Sequence, residues 1–293
     1  MTWKPVRPLP LLPWFRRNPV LGPLAVFFGL LALIALLQTN LTKPKIGVIY
    51  LEGMLLDAED LLDQVQALRE DHQVKGVILR VNSPGGAVAP FQELYQELRL
   101  LAEEKPLYTS ISTVAASGGY YAAIAAERIY ALPGSLTGSI GVILQTFNAE
   151  QAANKLGLRF DVIKAGQNKD IGNSFRQMTP EERLLLESML KETHRQFLAD
   201  VQDRRHLPEA SLALVSDGRV VNGSQALALG MIDELAGFRQ VQEALAEKLH
   251  LEEFELFEAI DPQEKFFRGL ETLLPLGVFH PSGLYFRSEL NLD

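Results

Sequence analysis

No cysteine occurs in the 293 residues. Disulfides, thiolate nucleophiles and cysteine-based metal sites are therefore excluded. Acidic residues are missing from residues 1–44, which carry Lys4, Arg7, Arg16, Arg17 and Lys43. Five of the 28 basic residues lie there, leaving 23 against 36 acids, net -13, for residues 45–293. An acidic body has no basic face with which to displace phosphate counterions, which argues against nucleic-acid binding. Several catalytic signatures are also missing. The chain has no phosphate-binding loop ending in Gly-Lys-Ser/Thr, no dinucleotide fingerprint, no His-Glu-x-x-His and no Gly-x-Ser-x-Gly. The five histidines, His72, His194, His206, His250 and His280, sit beside no glycine-rich turn in the sequence. They read as surface or cap residues, so a Ser-His-Asp triad has no centre.

Charge is absent again from Val20 to Leu37. Eighteen residues rise about 27 Å as a helix, close to the roughly 30 Å hydrocarbon core of a bilayer. The run from Phe27 to Leu37 is apolar on every face, whereas an amphipathic helix keeps a polar stripe. Leu36-Leu37-Gln38-Thr39-Asn40 offers no small-x-small cleavage site. The expectation is an uncleaved anchor over 19–38, preceded by a cytoplasmic segment 1–18 and followed by a linker 39–44. Lys4, Arg7, Arg16 and Arg17 precede the run, while Lys43 and Lys45 follow it. That bias predicts a single-pass chain with its N-terminus inside and residues 45–293 outside the cytoplasm.

In 45–293, apolar runs alternate with helical patterns. Strands are expected at 46–51, 77–81, 107–112, 128–131 and 158–164. Helices are expected at 59–71, 90–103, 115–126, 180–203, 223–229 and 238–249. Alternation of this kind predicts an α/β fold with a mostly parallel, helix-covered sheet. Thr179-Pro180-Glu181-Glu182 carries a cap, a proline at the first helical position and a glutamate at the third.

Two glycine-rich turns follow predicted strands, where open α/β sheets place ligands. Asn82-Ser83-Pro84-Gly85-Gly86 frees backbone N–H groups for an oxyanion or a peptide. Ala116-Ser117-Gly118-Gly119 puts a hydroxyl at a helix start, with the Gly118 N–H beside it. Taken alone, Ser117 reads as a helix cap ahead of a nucleophile. A serine nucleophile without histidine needs another base, and Ser-Lys pairs are one solution. The lysine must be neutral, which requires a fall of roughly 2–3 units from about 10.4. Lys169 lies in a polar loop with Asp170 beside it, and composition and spacing do not single it out among its neighbours. Ser188-Met189-Leu190-Lys191 has Ser-x-x-Lys spacing, but in the middle of a predicted helix with no cleft signal.

Ordered motifs go further. Asn82–Gly86, Ala116–Tyr121, Leu136–Val142, Lys169-Asp170 with Arg176, Asp217–Val220 and Ala226–Leu235 resemble the signal peptide peptidase A family, also called SppA or protease IV, in its short single-repeat form. The resemblance spans roughly residues 45–250. It implies a ClpP/crotonase-like fold of repeated ββα units, with 45–293 as the serine protease domain. It implies Ser117 as nucleophile, Lys169 as general base and Ser139 as the residue orienting that base. Gly85, Gly86 and Gly118 correspond to the oxyanion hole. The implied substrates are hydrophobic peptides such as remnant signal peptides. No metal or other cofactor is implied. The implied assembly is a ring-shaped homo-oligomer whose neighbours share Ser and Lys. Ser174-Phe175 departs from the Ser-Pro of many relatives. The apolar tail 273–279 is expected to pack on a neighbour or near the site. Two alternatives are a crotonase-type acyl-CoA enzyme, with Glu93 as the nearest acid, and an inactive peptide-binding membrane scaffold.

Overall fold

The structure is a computed structural model that describes residues 43–259, together with Leu24 and residues 27–31. The expected anchor falls outside the described residues except at Leu24 and 27–31, which are helical. The apolar tail 273–279 also lies outside them. Among the described residues no helix is long and apolar enough to cross a membrane.

Three long strands form the centre: β1 (Lys45–Leu55), β2 (Val74–Gly86) and β3 (Leu107–Ala116). All pair in parallel. Their near-continuous apolar runs are those of strands covered on both faces. Alternation still sorts the side chains by face. Val77, Leu79 and Val81 join the main core, while Ile78 joins Tyr108, Tyr130, Val241 and Leu245 on the other side.

Helices α1 (Glu59–Glu70) and α2 (Val88–Glu104) bury stripes at helical spacing. Leu61, Val65 and Leu68 form one stripe; Phe91, Leu94, Leu98 and Leu101 form the other. The short α3 (Gly118–Ala123) packs between α2 and the sheet. The expected helix over 115–126 is thus shortened. Ala115 and Ala116 finish β3 because they pair with a further strand.

That pairing splits the sheet. The first half of β3 takes β4 (Arg128–Ala131) as its neighbour, and its end takes β5 (Leu136–Gly138). Beyond them, β6 (Val220–Asn222) pairs antiparallel with β5 and β7 (Glu234–Leu235) pairs with β4. At the opposite edge β8 (Glu255–Phe257) joins β1. The result is a mixed α/β fold with one eight-stranded, mostly parallel sheet.

After β5 the chain leaves this body. Residues 140–178 hold a single short helix, α4 (Glu150–Lys155). The strand expected at 158–164 is absent, and those residues are exposed. A strand needs a neighbour for its N–H and C=O groups, and among the described residues no strand pairs with the segment. The chain returns in α5 (Pro180–Arg205), opened by the expected Thr179–Glu182 capping box. It continues through α6 (Glu209–Val215), α7 (Gly223–Ala228) and α8 (Phe238–Lys248). Helix α8 covers the second face of the sheet.

The end of α5 is fastened by Arg205. Its guanidinium donates to both Asp233 oxygens at 3.0 and 2.9 Å and to the Gly230 carbonyl at 3.1 Å. Asp233 in turn accepts from the Ile129 N–H at 2.7 Å. Arg205→Ala leaves this carboxylate without its cation in a largely dry setting. The expected loss is about 2 kcal/mol, a fall of roughly 4–8 °C in Tm. Calorimetry on the purified chain checks it; an unchanged Tm would contradict the assignment.

Candidate active site

The turn after β2 is built for close backbone contact. Gly85 has φ +108°, a conformation open to glycine. A Cβ there would stand 3.0 Å from both the Gly118 nitrogen and the Ser117 Cβ. A Cβ on Gly86 would fall 1.9 Å from the Leu55 carbonyl oxygen. Ser83, fully buried, donates to the Gly53 carbonyl at 2.6 Å and accepts from the Gly85 N–H at 3.2 Å. Of the three expected oxyanion donors, Gly85 therefore already has an acceptor. Gly118 is the first residue of α3, and a first helical N–H has no partner within its helix.

Ser117 sits where β3 turns into α3, with φ 51° and ψ -120°. Its side chain makes no capping hydrogen bond, so the cap reading fails. A non-glycine residue held at this backbone costs of order 1–3 kcal/mol and marks a functional constraint. The conformation is fixed from both sides. The Ser117 N–H donates to the Gly138 carbonyl at 2.8 Å, and its carbonyl accepts from the Tyr121 N–H at 3.0 Å. Gly118 and Gly119 follow because side chains do not fit. A Cβ on Gly118 would fall 2.2 Å from the Phe91 ring, and one on Gly119 2.5 Å from the Ser83 carbonyl oxygen.

Ser139 repeats the geometry one strand away. It has φ 51°, and its N–H donates to the Arg219 carbonyl at 2.8 Å. Among the described residues only four non-glycine positions have positive φ. His206 and His250 follow helix ends; the other two are Ser117 and Ser139. Ala116 is in register with Gly138, so the two serines leave neighbouring strands side by side.

Two cavities adjoin Ser117. One is small and apolar, about 40 Å³, lined by Phe91, Tyr121, Val142 and Phe197 with Gly118 at its edge. The other is an open cleft of about 690 Å³ that also holds Ser139, Gly85 and Gly86. Tyr121 is anchored: its hydroxyl donates to Asp200 at 2.5 Å, and its ring packs on Tyr95 and Phe197. Burial, and then the neighbouring Asp200 carboxylate, raises its pKa well above the usual phenol value. It serves as a neutral, rigid wall.

Lys169 lines neither cavity and is exposed. Its neighbour Asp170 is engaged elsewhere, by Arg176 Nε at 2.8 Å and by Lys164. Arg176 also holds both Glu182 oxygens, at 2.8 and 2.5 Å. These hydrogen bonds depress both carboxyl groups, Glu182 to about 2, helped there by the Thr179 N–H. The lysine loop is thus fastened to the start of α5. Within 140–178, Ile143, Phe147, Leu156 and Ile163 are strongly exposed apolar residues, while Phe160 stacks on Phe175 at 3.7 Å.

Two side chains escaped the sequence reading. His194 is half-buried, lines the open cleft and lies 3.1 Å from the Ile140 carbonyl oxygen through Nε2. The surface-or-cap expectation is wrong for it. Lys191, one turn earlier on α5, lines the same cleft. Ser188 of that Ser-x-x-Lys run instead bonds the Leu185 carbonyl on exposed helix. The Ser-x-x-Lys spacing points to Lys191 but carries no cleft signal, and no local signal marks His194; the packing of α5 near segment 139–143 brings both to the cleft. Glu93, the acid of the acyl-CoA alternative, is exposed on α2 and lines neither cavity.

Strain at Ser117 has a measurable consequence. Ser117→Gly relieves it and Ser117→Ala does not, so the glycine variant should be the more stable by about 1 kcal/mol. Urea unfolding of the pair decides; equal midpoints would deny the strain. Glu182 has a folded pKa below its usual 4.5. Its contribution is therefore complete above about pH 4.5 and is lost as pH falls toward 2. Hydrogen exchange across 164–178 should rise over that window, and Arg176→Ala should raise it already at pH 7. Uniform exchange throughout would remove the fastening role.

Known proteins similar to this chain point to a family. Residues 99–252 match Peptidase family S49. A protein of Synechocystis sp. is 36% identical over 196 residues, 66% of this chain and 70% of its own length. The chloroplastic serine protease SPPA of Arabidopsis thaliana is 35% identical over 192 residues, covering 65% of this chain and 28% of the plant protein. Protease 4 of Salmonella typhi is 30% identical over 225 residues, covering 73% of this chain and 36% of its own. Among solved structures, a mutant of the 1510-N membrane-bound stomatin-specific protease superposes with a TM-score of 0.50. At 14% identity, over 75% of this chain and 100% of that one, the likeness is one of fold. The chain belongs to peptidase family S49, within the signal peptide peptidase SppA and protease 4 group.

Proposed function

We propose that this chain is a membrane-anchored serine endopeptidase that cleaves hydrophobic peptides, remnant signal peptides among them. Ser117 is the nucleophile and Lys169 the general base, with Ser139 orienting the lysine. The observation that carries the reading is the strained Ser117 turn, opening α3 beside an apolar cavity with the Gly118 N–H at its edge.

The chemistry runs in two halves. A neutral lysine amine takes the Ser117 hydroxyl proton as Oγ attacks the peptide carbonyl carbon. The oxyanion that forms is held by the Gly118 N–H and by the Gly86 side of the turn after β2, the Gly85 N–H being given to Ser83 Oγ. The lysine then gives its proton to the departing amine, leaving an acyl-enzyme on Ser117. Water attacks that ester, the lysine again acting as base, and the free serine returns.

A neutral amine near pH 7 requires desolvation worth about 3–4 kcal/mol. Lys169 is exposed in the single chain. The reading therefore requires a second copy of the chain to cover it, with Ser and Lys supplied by neighbours in a ring. The exposed Ile143, Phe147, Leu156 and Ile163 support such an interface. The uncharged run 20–37 and the basic residues before it support an anchor with the protease domain outside the cytoplasm.

A second assignment of the base rests on one observation: Lys191 shares the open cleft with Ser117 and Ser139 within the chain. Three variants separate the two. With a hydrophobic peptide ester as substrate, Ser117→Ala should abolish turnover. Lys169→Ala should lower kcat by about 10²–10⁴-fold, and Lys191→Ala should leave it within about two-fold. The reverse ranking of the lysines would move the base to Lys191, and full activity without Ser117 would end the protease assignment.

A further inference from the structure

We infer that His194 is a positioning residue for substrate selection: its Nε2–H holds the Ile140 carbonyl and so fixes the Gly141-Val142 wall of the apolar cavity. This deepens the reading above and rests on it.

The Ser139 N–H is tied to the Arg219 carbonyl, and the Ile140 side chain is fully buried. Gly141 and Val142 then line both cavities that Ser117 lines. From there to Asn148 the segment has no regular structure. The next backbone hydrogen bond beyond the Ile140 carbonyl is that of Ala149 N–H to the Ser174 carbonyl at 2.6 Å. The His194 contact is therefore the last fixed point before the cavity wall.

The partner on the other side is rigid. Helix α5 presents Thr193 and Phe197 directly to the apolar cavity, and His194 lies between them in sequence. One helix thus lines the cavity itself and ties down the segment that supplies Gly141 and Val142 to the same lining. A carbonyl only accepts, so Nε2 must carry a hydrogen. The consequence is selectivity for an apolar side chain filling the cavity, with little effect on a substrate that leaves it empty.

Two esters distinguish these, one with leucine and one with glycine on the acyl side of the scissile bond. His194→Phe keeps the volume and removes the donor; His194→Gln restores a donor at nearly the Nε2 position. In His194→Phe, KM for the leucine ester should rise about five- to ten-fold. Its kcat and both constants for the glycine ester should stay within two-fold, and His194→Gln should recover the leucine KM. Hydrogen exchange at the amides of 141–143 should rise in His194→Phe and return in His194→Gln. An unchanged leucine-to-glycine ratio overturns the inference, as does an equal loss on both esters without rescue by glutamine. Labelling of wild-type Ser117 by a small fluorophosphonate tests the underlying protease reading separately. If the wild type is neither labelled nor active, that reading falls. The exchange at 141–143 then still decides the tether, and equal exchange in wild type and His194→Phe rejects it.

Discussion

The site depends on two backbone turns approaching more closely than side chains permit. The end of β2 and the start of α3 meet at Gly85 and Gly119, where a Cβ would stand 3.0 Å from the Gly118 nitrogen and 2.5 Å from the Ser83 carbonyl oxygen; Gly86 and Gly118 are bare for the Leu55 carbonyl of β1 and the Phe91 ring of α2. Loss of side-chain burial at four positions is the cost of these contacts. The gain is geometric. Gly118 N–H, Ser117 and the Gly85-Gly86 turn converge at one corner of the sheet, on elements whose other ends lie in the main core. Phe91 illustrates the coupling. It is buried in the core stripe of α2, it presses on the Cα of Gly118, and it lines the apolar cavity.

Strain at that corner is sustained by the split in the sheet. β3 continues past its pairing with β4 to meet β5, and this extension carries Ser117 and Ser139 to adjacent strand ends. Small polar side chains brace the extension. Thr137 Oγ1 donates to the Ala115 carbonyl at 2.7 Å, and Ser83 bridges from Gly53 to Gly85. Each is buried with its hydrogen bonds made, so none adds the cost of an orphaned polar group. The two left-handed serines sit where such bracing is densest. Backbone strain persists only where its surroundings over-determine it.

The sheet was legible because its strands are apolar on both faces and its helices bury regular stripes. The boundaries at 128–131 and at Pro180 were readable from local signals alone. So was the glycine requirement at Gly85-Gly86 and Gly118-Gly119, though the clashing atoms, Phe91 and the Leu55 carbonyl, come from distant sequence. Segment 158–164 misled because Leu158, Phe160 and Val162 alternate as a strand does, yet pattern cannot supply a pairing partner. His194 and Lys191 were illegible for the opposite reason. Their place is set by α5 crossing segment 139–143, a contact spanning 54 residues for His194, and nothing in their neighbours announces it.

The fold and the site are completed on different terms. The body from β1 to β8 closes its own core, whereas residues 141–178 expose apolar side chains, and Lys169 among them is exposed in the described part of the chain. Arg176 makes this arrangement more definite than a loose loop. By holding Asp170 and Glu182 together, it keeps the nearest carboxylate turned to other cations. A carboxylate free to pair with Lys169 would stabilise the ammonium form and oppose its use as a base. On the proposed reading the ion network thus removes one obstacle to a neutral amine, and burial by a neighbouring copy removes the other. A base that loses its proton only when copies assemble would keep the isolated chain inert while leaving its nucleophile fully formed. The difference follows from solvation: the serine turn is built from backbone contacts within the described residues, whereas Lys169 is exposed among them.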